Sequence, residues 1–289
     1  MSRDDIVQGM HFTNPTPHPG MCKDCIMGKH TCRPFHANEN HETTIGECTY
    51  IDLWGPSHVQ STGGCSYMMP CIDGYSGHIE TYFLPNKEAA MTLDALRHYI
   101  ALTERQTGHK VKKIWTDEGT EFTNNVWKTY FNEQGIIHEF TTAYSSASNG
   151  VIEHSHRTII ERVRICLHEA RLPPSFLCEI AVAITYLMDL VPNMRYPEVT
   201  PFELWHGKKP DVSHLQPLGC IAYAKIPTKA GDGLGKLEPC STKGMLIGYF
   251  GWDAYWIYDP KNRRIYRSRD IIFKEGANNK TLPAASNEG

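Results

Sequence analysis

The chain has 289 residues, a formal net charge of −3, 40% hydrophobic residues and 10% aromatic residues, a composition that excludes a fibrous or wholly disordered protein. No uninterrupted apolar stretch approaches the ~20 residues that cross a bilayer, so no membrane partner is expected, and MSRDDIVQGMHF has no apolar core of a secretory signal. The slight acidity excludes nucleic-acid binding driven by the global field; such contacts must come from local basic patches. Ten cysteines in a chain of this kind are expected as thiols or metal ligands of a reducing compartment rather than as disulfides.

Taken in chain order, residues 1–43 are polar, rich in Pro and His, and hold one metal-like cluster around Cys22 and Cys25. From Glu47 short apolar runs alternate with turns. CTYIDLWG reads as a first strand, and SYMMPCIDGYSGHIETYFLP as two more joined near Asp73-Gly74. Lys87 to about Gln106 carries apolar residues at helical spacing. VKKIWTD reads as a fourth strand ended by Gly119, Asn125 to Gln134 as a helix stopped by Gly135, and IIHEF as a fifth strand. The loop TTAYSSASNG, built of small and polar residues, is expected to be mobile.

The next helix is expected from near Asn149 to about Arg171, before Leu172-Pro173-Pro174. Its apolar stripe runs through Ile152, Ile159, Ile160, Val163 and Leu167, with Glu153, Arg157, Glu161 and Arg164 on the neighbouring polar face. A helix from about Ser175 to Val191 is apolar almost all round and should be buried. A Pro-rich connection then leads into β-like runs, CIAYAKIP, GMLIGYFG, AYWIYDP, RIYRS and DIIF, a small β-rich module.

Three acids stand out against this pattern. Asp52 lies in the first strand, where a lone carboxylate in an apolar run is costly unless paired or metal-bound. Asp117 lies at the end of the fourth strand and Glu153 in the first turn of the long helix, with thirty-five residues between them. Singly, Asp117 is also a turn former and Glu153 a helix-dipole partner. Together, three convergent carboxylates suit a pair of hard divalent cations, which can serve phosphodiester transfer. Asp73, Glu118 and Glu121 are weaker candidates, and Asp73 is expected simply to form the hairpin turn.

The ordered motifs resemble the integrase of copia-type long-terminal-repeat retrotransposons. They are CxxCxxGK from Cys22 to Lys29, DLWGP around Asp52, D-x-G-x-E-F from Asp117 to Phe122, NG-V-x-E-x-x-x-RT from Asn149 to Thr158, and KG-x-x-x-GY … YDP … SRD-x-x-F from Lys243 to Phe273. The resemblance implies an α/β chain with a ribonuclease H-like core, a mixed five-stranded sheet flanked by helices, and a small β-rich C-terminal module. It divides the chain into a truncated zinc-binding remnant (1–43), catalytic core (44–195), linker (196–217), β-rich module (218–275) and disordered tail (276–289).

The resemblance further implies that Asp52, Asp117 and Glu153 hold two magnesium or manganese ions, with Asp52 bridging them. The reaction would be 3′-end processing of linear element DNA followed by strand transfer into host DNA. Partners would be double-stranded DNA, both element ends and target, and further copies in a homo-oligomer; the location would be the nucleus. Arg157 and Arg164, with Lys112 and Lys113 before the fourth strand, are candidate DNA contacts, although a solvated helix face accounts for Arg157 equally well and for Arg164 better, and edge-strand charges account equally for the lysines. Lys261 to Arg269 is a similar case.

Cys22 and Cys25 have the spacing of half a zinc site. The histidine-bearing segment that completes this site in the family is missing, and His11, His18, His30 and Cys32 offer only irregular substitutes. Where relatives usually read Y-T-P-x-x-NG, the chain reads Tyr144-Ser145-Ser146-Ala147-Ser148-Asn149-Gly150, and His154 and His156 replace a common Arg and Asn. These departures keep a second reading open: a catalytically inactive or host-adopted nucleic-acid-binding module derived from an integrase.

Overall fold

The structure, a computed structural model, describes residues 42–140, 146–225 and 239–274, and for 146–154 the backbone alone. The expected zinc cluster with Cys22 and Cys25, and the tail from 276, lie outside these residues. The elements in order are β1 (Thr49–Ile51), β2 (Tyr67–Asp73), β3 (Ile79–Leu84), α1 (Ala89–Thr107), β4 (Lys113–Thr116), α2 (Asn125–Gln134), β5 (Ile137–Phe140) and α3 (Ser146–Ala170). A 3-10 turn (Pro174–Phe176) leads to α4 (Leu177–Asp189) and α5 (Pro201–His206). The last elements are β6 (Ile221–Lys225), β7 (Ser241–Phe250), β8 (Ala254–Asp259), β9 (Arg264–Ser268) and β10 (Ile271–Phe273).

The first sheet has the order β3-β2-β1-β4-β5. β1 runs antiparallel to β2 and parallel to β4, and β4 runs parallel to β5. This is the mixed, ribonuclease H-like sheet that the motifs imply. Its parallel pairs require crossovers, which α1 and α2 supply. Both helices end where glycine can turn left-handed: Gly108 at φ 73° and Gly135 at φ 67° donate their N–H groups to Glu104 O and Phe131 O. Asn124 caps the start of α2 by accepting from the Val126 and Trp127 N–H groups.

One face of this sheet offers Ile51, Met69, Cys71 and Ile114 to Leu93, Leu96 and Tyr99 of α1 and to Trp127 and Phe131 of α2. On the other face Met68 meets Ile159 and Val163 of α3 and Ile180 and Ile184 of α4. The same core continues into Met245, Ile247 and Tyr258 of the second sheet. That sheet is wholly antiparallel in the order β10-β6-β7-β8-β9. Helix α4 thus faces apolar neighbours on both sides, which is why its sequence is apolar almost all round. No helix of the described residues is long and apolar enough to cross a membrane.

Two local differences from the sequence reading have clear causes. Residues 146–150 of the expected loop are already helical, so α3 starts before Asn149. Helix α5 interrupts the expected Pro-rich connection: Thr200 accepts from the Glu203 N–H at 3.1 Å and Pro201 occupies the first helical turn, where its missing N–H costs nothing.

A buried ion pair ties α4 and α5 to the edge of the first sheet. His78 Nδ1, just before β3, lies 2.6 Å from Asp189 Oδ2 at the end of α4, and the His78 ring stacks on Trp205 of α5 at 4.1 Å. Burial pushes the His78 imidazole down, but the Asp189 carboxylate outweighs this and lifts it to about 9. Breaking such a pair by removing one partner costs about 3–5 kcal/mol, and Asp189→Ala is expected to lose stability on that scale in urea denaturation. Because the folded-state value is raised, the stabilisation is complete below about 6.5 and is lost as pH rises through about 9. Stability that stays flat over that window, or an Asp189→Ala variant as stable as the wild type, contradicts this account.

Candidate active site

The register of the two parallel strands places the first two acids. Thr49 pairs with Ile114 and Tyr50 with Trp115. Continued two residues beyond the ladder, the same register sets Asp52 beside Asp117, at the ~4.8 Å spacing of neighbouring strands and on the same face. That face is the one carrying Met68, against which α3 packs.

Each carboxylate is held by nearby backbone. Asp52 Oδ1 accepts from the Leu53 N–H at 2.7 Å, and Asp117 Oδ1 accepts from the Gly119 N–H at 3.0 Å. A Cβ on Gly119 would lie 2.9 Å from Asp117 Oδ1 and 2.9 Å from Glu121 Cδ. A side chain at this position would have to push the ends of these two carboxylate side chains aside. Lys87 Nζ lies 3.9 Å from Glu121 Oε2 and adds a partial countercharge. Desolvation raises the Asp117 carboxyl above its ordinary range, and the charges of Asp52 and Glu121 raise it further against the Gly119 hydrogen bond and Lys87.

Below Asp117, Thr116 Oγ1 donates to Asp117 O at 2.8 Å and meets His138 Nε2 at 2.9 Å. Since the hydroxyl proton is committed, His138 donates to it. Burial pushes the His138 imidazole down to about 4, so it is neutral here. This support for the strand end is not visible in sequence, where His138 is one residue of a short apolar run.

Glu153 lies on α3, and its placement follows from the helix backbone. Three residues later His156, which is 8% exposed, brings Nδ1 to 3.3 Å from Asp52 Oδ2. Burial lowers this imidazole more than the Asp52 charge raises it. The Glu153 backbone sits about 4.5 Å along the helix from His156, one turn earlier. The sequence marked His156 as a neighbour of the acids, but not as a contact of Asp52; the usable signal was its helical spacing from Glu153.

The candidate basic contacts fall in two places. Arg157 and Arg164 are exposed on α3, and among the described residues no ion pair joins them to an acid. Lys112 is exposed, whereas Lys113 Nζ is paired to Glu139 Oε1 at 2.9 Å. Both lysines lie at the start of β4, with Lys113 about 13 Å of strand from Asp117. Asp73, buried, accepts from Gly46 N, Ser76 N and Ser76 Oγ, the turn-forming role expected of it.

Among the described residues no group of three His, Cys, Asp or Glu side chains suffices by itself for a metal ion. The donor chemistry nevertheless fits one. Hard carboxylate oxygens are crowded at adjacent strand ends, and a divalent cation would offset the burial and neighbouring negative charges that raise Asp117.

Comparison with known proteins bears on this arrangement. Residues 44–146 match the integrase core domain family, and residues 220–287 the retroviral polymerase SH3-like domain family. The chain carries an integrase core domain. The retrovirus-related Pol polyprotein from transposon TNT 1-94 of Nicotiana tabacum is 33% identical over 255 residues, 88% of this chain and 19% of that protein. The corresponding polyprotein from transposon RE1 of Arabidopsis thaliana is 26% identical over 263 residues, 91% of this chain and 17% of that protein. The chain thus spans less than a fifth of the length of either relative. The HTLV-2 integrase catalytic core domain in complex with magnesium, in its trimeric form, is 16% identical at a TM-score of 0.43, covering 56% of this chain and 98% of that one.

The integrase core match begins before Asp52 and spans Asp117, and the SH3-like match takes in β6 to β10. Both domains occur in the order the motifs imply. Charge crowding in the integrase core generates a test without metal. A raised folded-state carboxyl costs stability as pH rises through its folded value. In chelator-treated protein, Asp117→Asn is therefore expected to raise the melting temperature at pH 7, with the gain shrinking towards pH 4. A lower melting temperature at pH 7 contradicts the crowding.

Proposed function

We propose that the chain is the integrase segment of a retrotransposon polyprotein, a metal-dependent polynucleotidyl transferase. It would process the 3′ ends of linear element DNA and join them to host DNA. The observation that carries this reading is the β1–β4 register, which sets two carboxylates side by side on the face where α3 brings in the helix bearing Glu153.

Asp52, Asp117 and Glu153 would hold two magnesium or manganese ions. When bound, such ions lower the pKa of the attacking hydroxyl and stabilise the leaving oxygen. The chain's own groups orient the site. Leu53 N–H and Gly119 N–H direct the two aspartates, and Lys87 offsets the charge of Glu121 beside them. Arg157 and Arg164, exposed on α3, are proposed to take phosphates of the DNA end, the sequence-independent contacts that position a duplex. Lys112 and Lys113, remote from the acids, are proposed as contacts to more distant backbone. Cys22 and Cys25 are the proposed zinc ligands. Action on two DNA ends implies a homo-oligomer, and a chromosomal target implies the nucleus.

The test is a strand-transfer assay on labelled element-end duplex with magnesium or manganese. Wild type should yield new 3′-to-5′ joints, and Glu153→Gln should fall to background while keeping the wild-type melting temperature. Joining retained by Glu153→Gln contradicts the assignment. DNA binding by the wild type without metal-dependent joining supports the inactive-module reading instead.

A further inference from the structure

The chemistry proposed above leaves one buried polar side chain at the acids unused. His156 on α3 is 8% exposed and brings Nδ1 to 3.3 Å from Asp52 Oδ2. The other oxygen of the same carboxylate, Oδ1, already accepts from the Leu53 N–H at 2.7 Å. A bare Nδ1 lone pair facing a carboxylate oxygen would be repulsive, so the proton sits on Nδ1 whether the ring is neutral or charged. Nε2 is buried and has no hydrogen-bond partner among the described residues. A histidine retained for packing alone gains nothing from that arrangement, because an unsatisfied buried nitrogen is a cost that an apolar residue would avoid. Among the described residues the ring's one charged neighbour within 4 Å is Asp52.

The Leu53 N–H on one oxygen and the His156 Nδ1 at 3.3 Å from the other together restrict rotation of the carboxylate about its Cβ–Cγ bond. The lone pairs that Leu53 and His156 leave free are then held in one orientation beside Asp117. We infer that His156 is a positioning residue, whose Nδ1–H holds the Asp52 carboxylate in the orientation that a divalent cation shared with Asp117 requires. This rests on the metal-site reading and extends it to a group outside the acidic triad. It also gives the imidazole a role other than phosphate contact, which its burial opposes.

The experiment measures Mn2+ affinity, from the loss of the paramagnetic resonance signal of free Mn2+, together with the melting temperature of metal-free protein. The proteins are the full chain and its His156→Leu, His156→Asn and Asp117→Asn variants. Loss of a group that orients a ligand typically weakens metal binding about 10–100-fold, and His156→Leu should do so. Its metal-free melting temperature should not fall, since the unsatisfied Nε2 goes with the ring. His156→Asn, whose amide offers the same donor, should stay within about threefold of wild type. Wild-type affinity in His156→Leu overturns the inference, as does an affinity loss that accompanies a lower melting temperature and is not restored by Asn. If Asp117→Asn also leaves affinity unchanged, the metal-site reading falls with it. If Asp117→Asn abolishes binding while His156→Leu does not, only the role of His156 is overturned.

Discussion

Two carboxylates at the ends of adjacent parallel strands repel each other, and the fold holds them there. The β1–β4 pairing sets Asp52 next to Asp117 by register, and the pairing can be parallel only because β2, β3 and α1 intervene in sequence. The chain itself relieves the repulsion only in part. Desolvation and the charges of Asp52 and Glu121 keep the Asp117 carboxyl raised against the Gly119 hydrogen bond and the Lys87 charge. An arrangement that costs stability without a ligand is the usual signature of a site built for one.

Everything around that pair serves to hold its two strands and one helix in place. The sheet face away from the acids is closed by α1 and α2 through Leu96, Tyr99 and Trp127. The face with the acids is closed by α3 and α4, and α4 in turn packs on the antiparallel C-terminal sheet through Ala183, Leu246 and Ile257. The two sheets therefore share apolar cores through one helix rather than hanging from a linker. The His78–Asp189 pair fastens the end of that helix to the edge of the first sheet. A disturbance of α4 would be felt at α3, and through His156 at Asp52.

Much of this was legible from residue order. Short apolar runs bounded by turns, such as YMMPCID and AYWIYD, gave strands where they were expected, and Gly135 closed its helix for the left-handed reason that makes glycine readable. The Asp117-to-Phe122 motif reads as a turn, and at Gly119 a Cβ would press on the ends of two carboxylate side chains rather than meet a positive φ. Helix α5 was missed because proline was read as a breaker, although Thr200-Pro201 with Glu203 is a start signal. The contact of His156 with Asp52 joins residues over a hundred positions apart. No local pattern encodes it, since it depends on how α3 lies across the sheet.

The central claim is that the ends of β1 and β4 and the first turns of α3 form one divalent-cation site. A crystal structure of the chain with Mn2+, with the ions located by anomalous scattering, tests it most directly. The account predicts manganese bound by both Asp52 and Asp117, with the Glu153 carboxylate among the ligands. Manganese absent from these acids at saturating concentration, or bound only elsewhere on the chain, would contradict it.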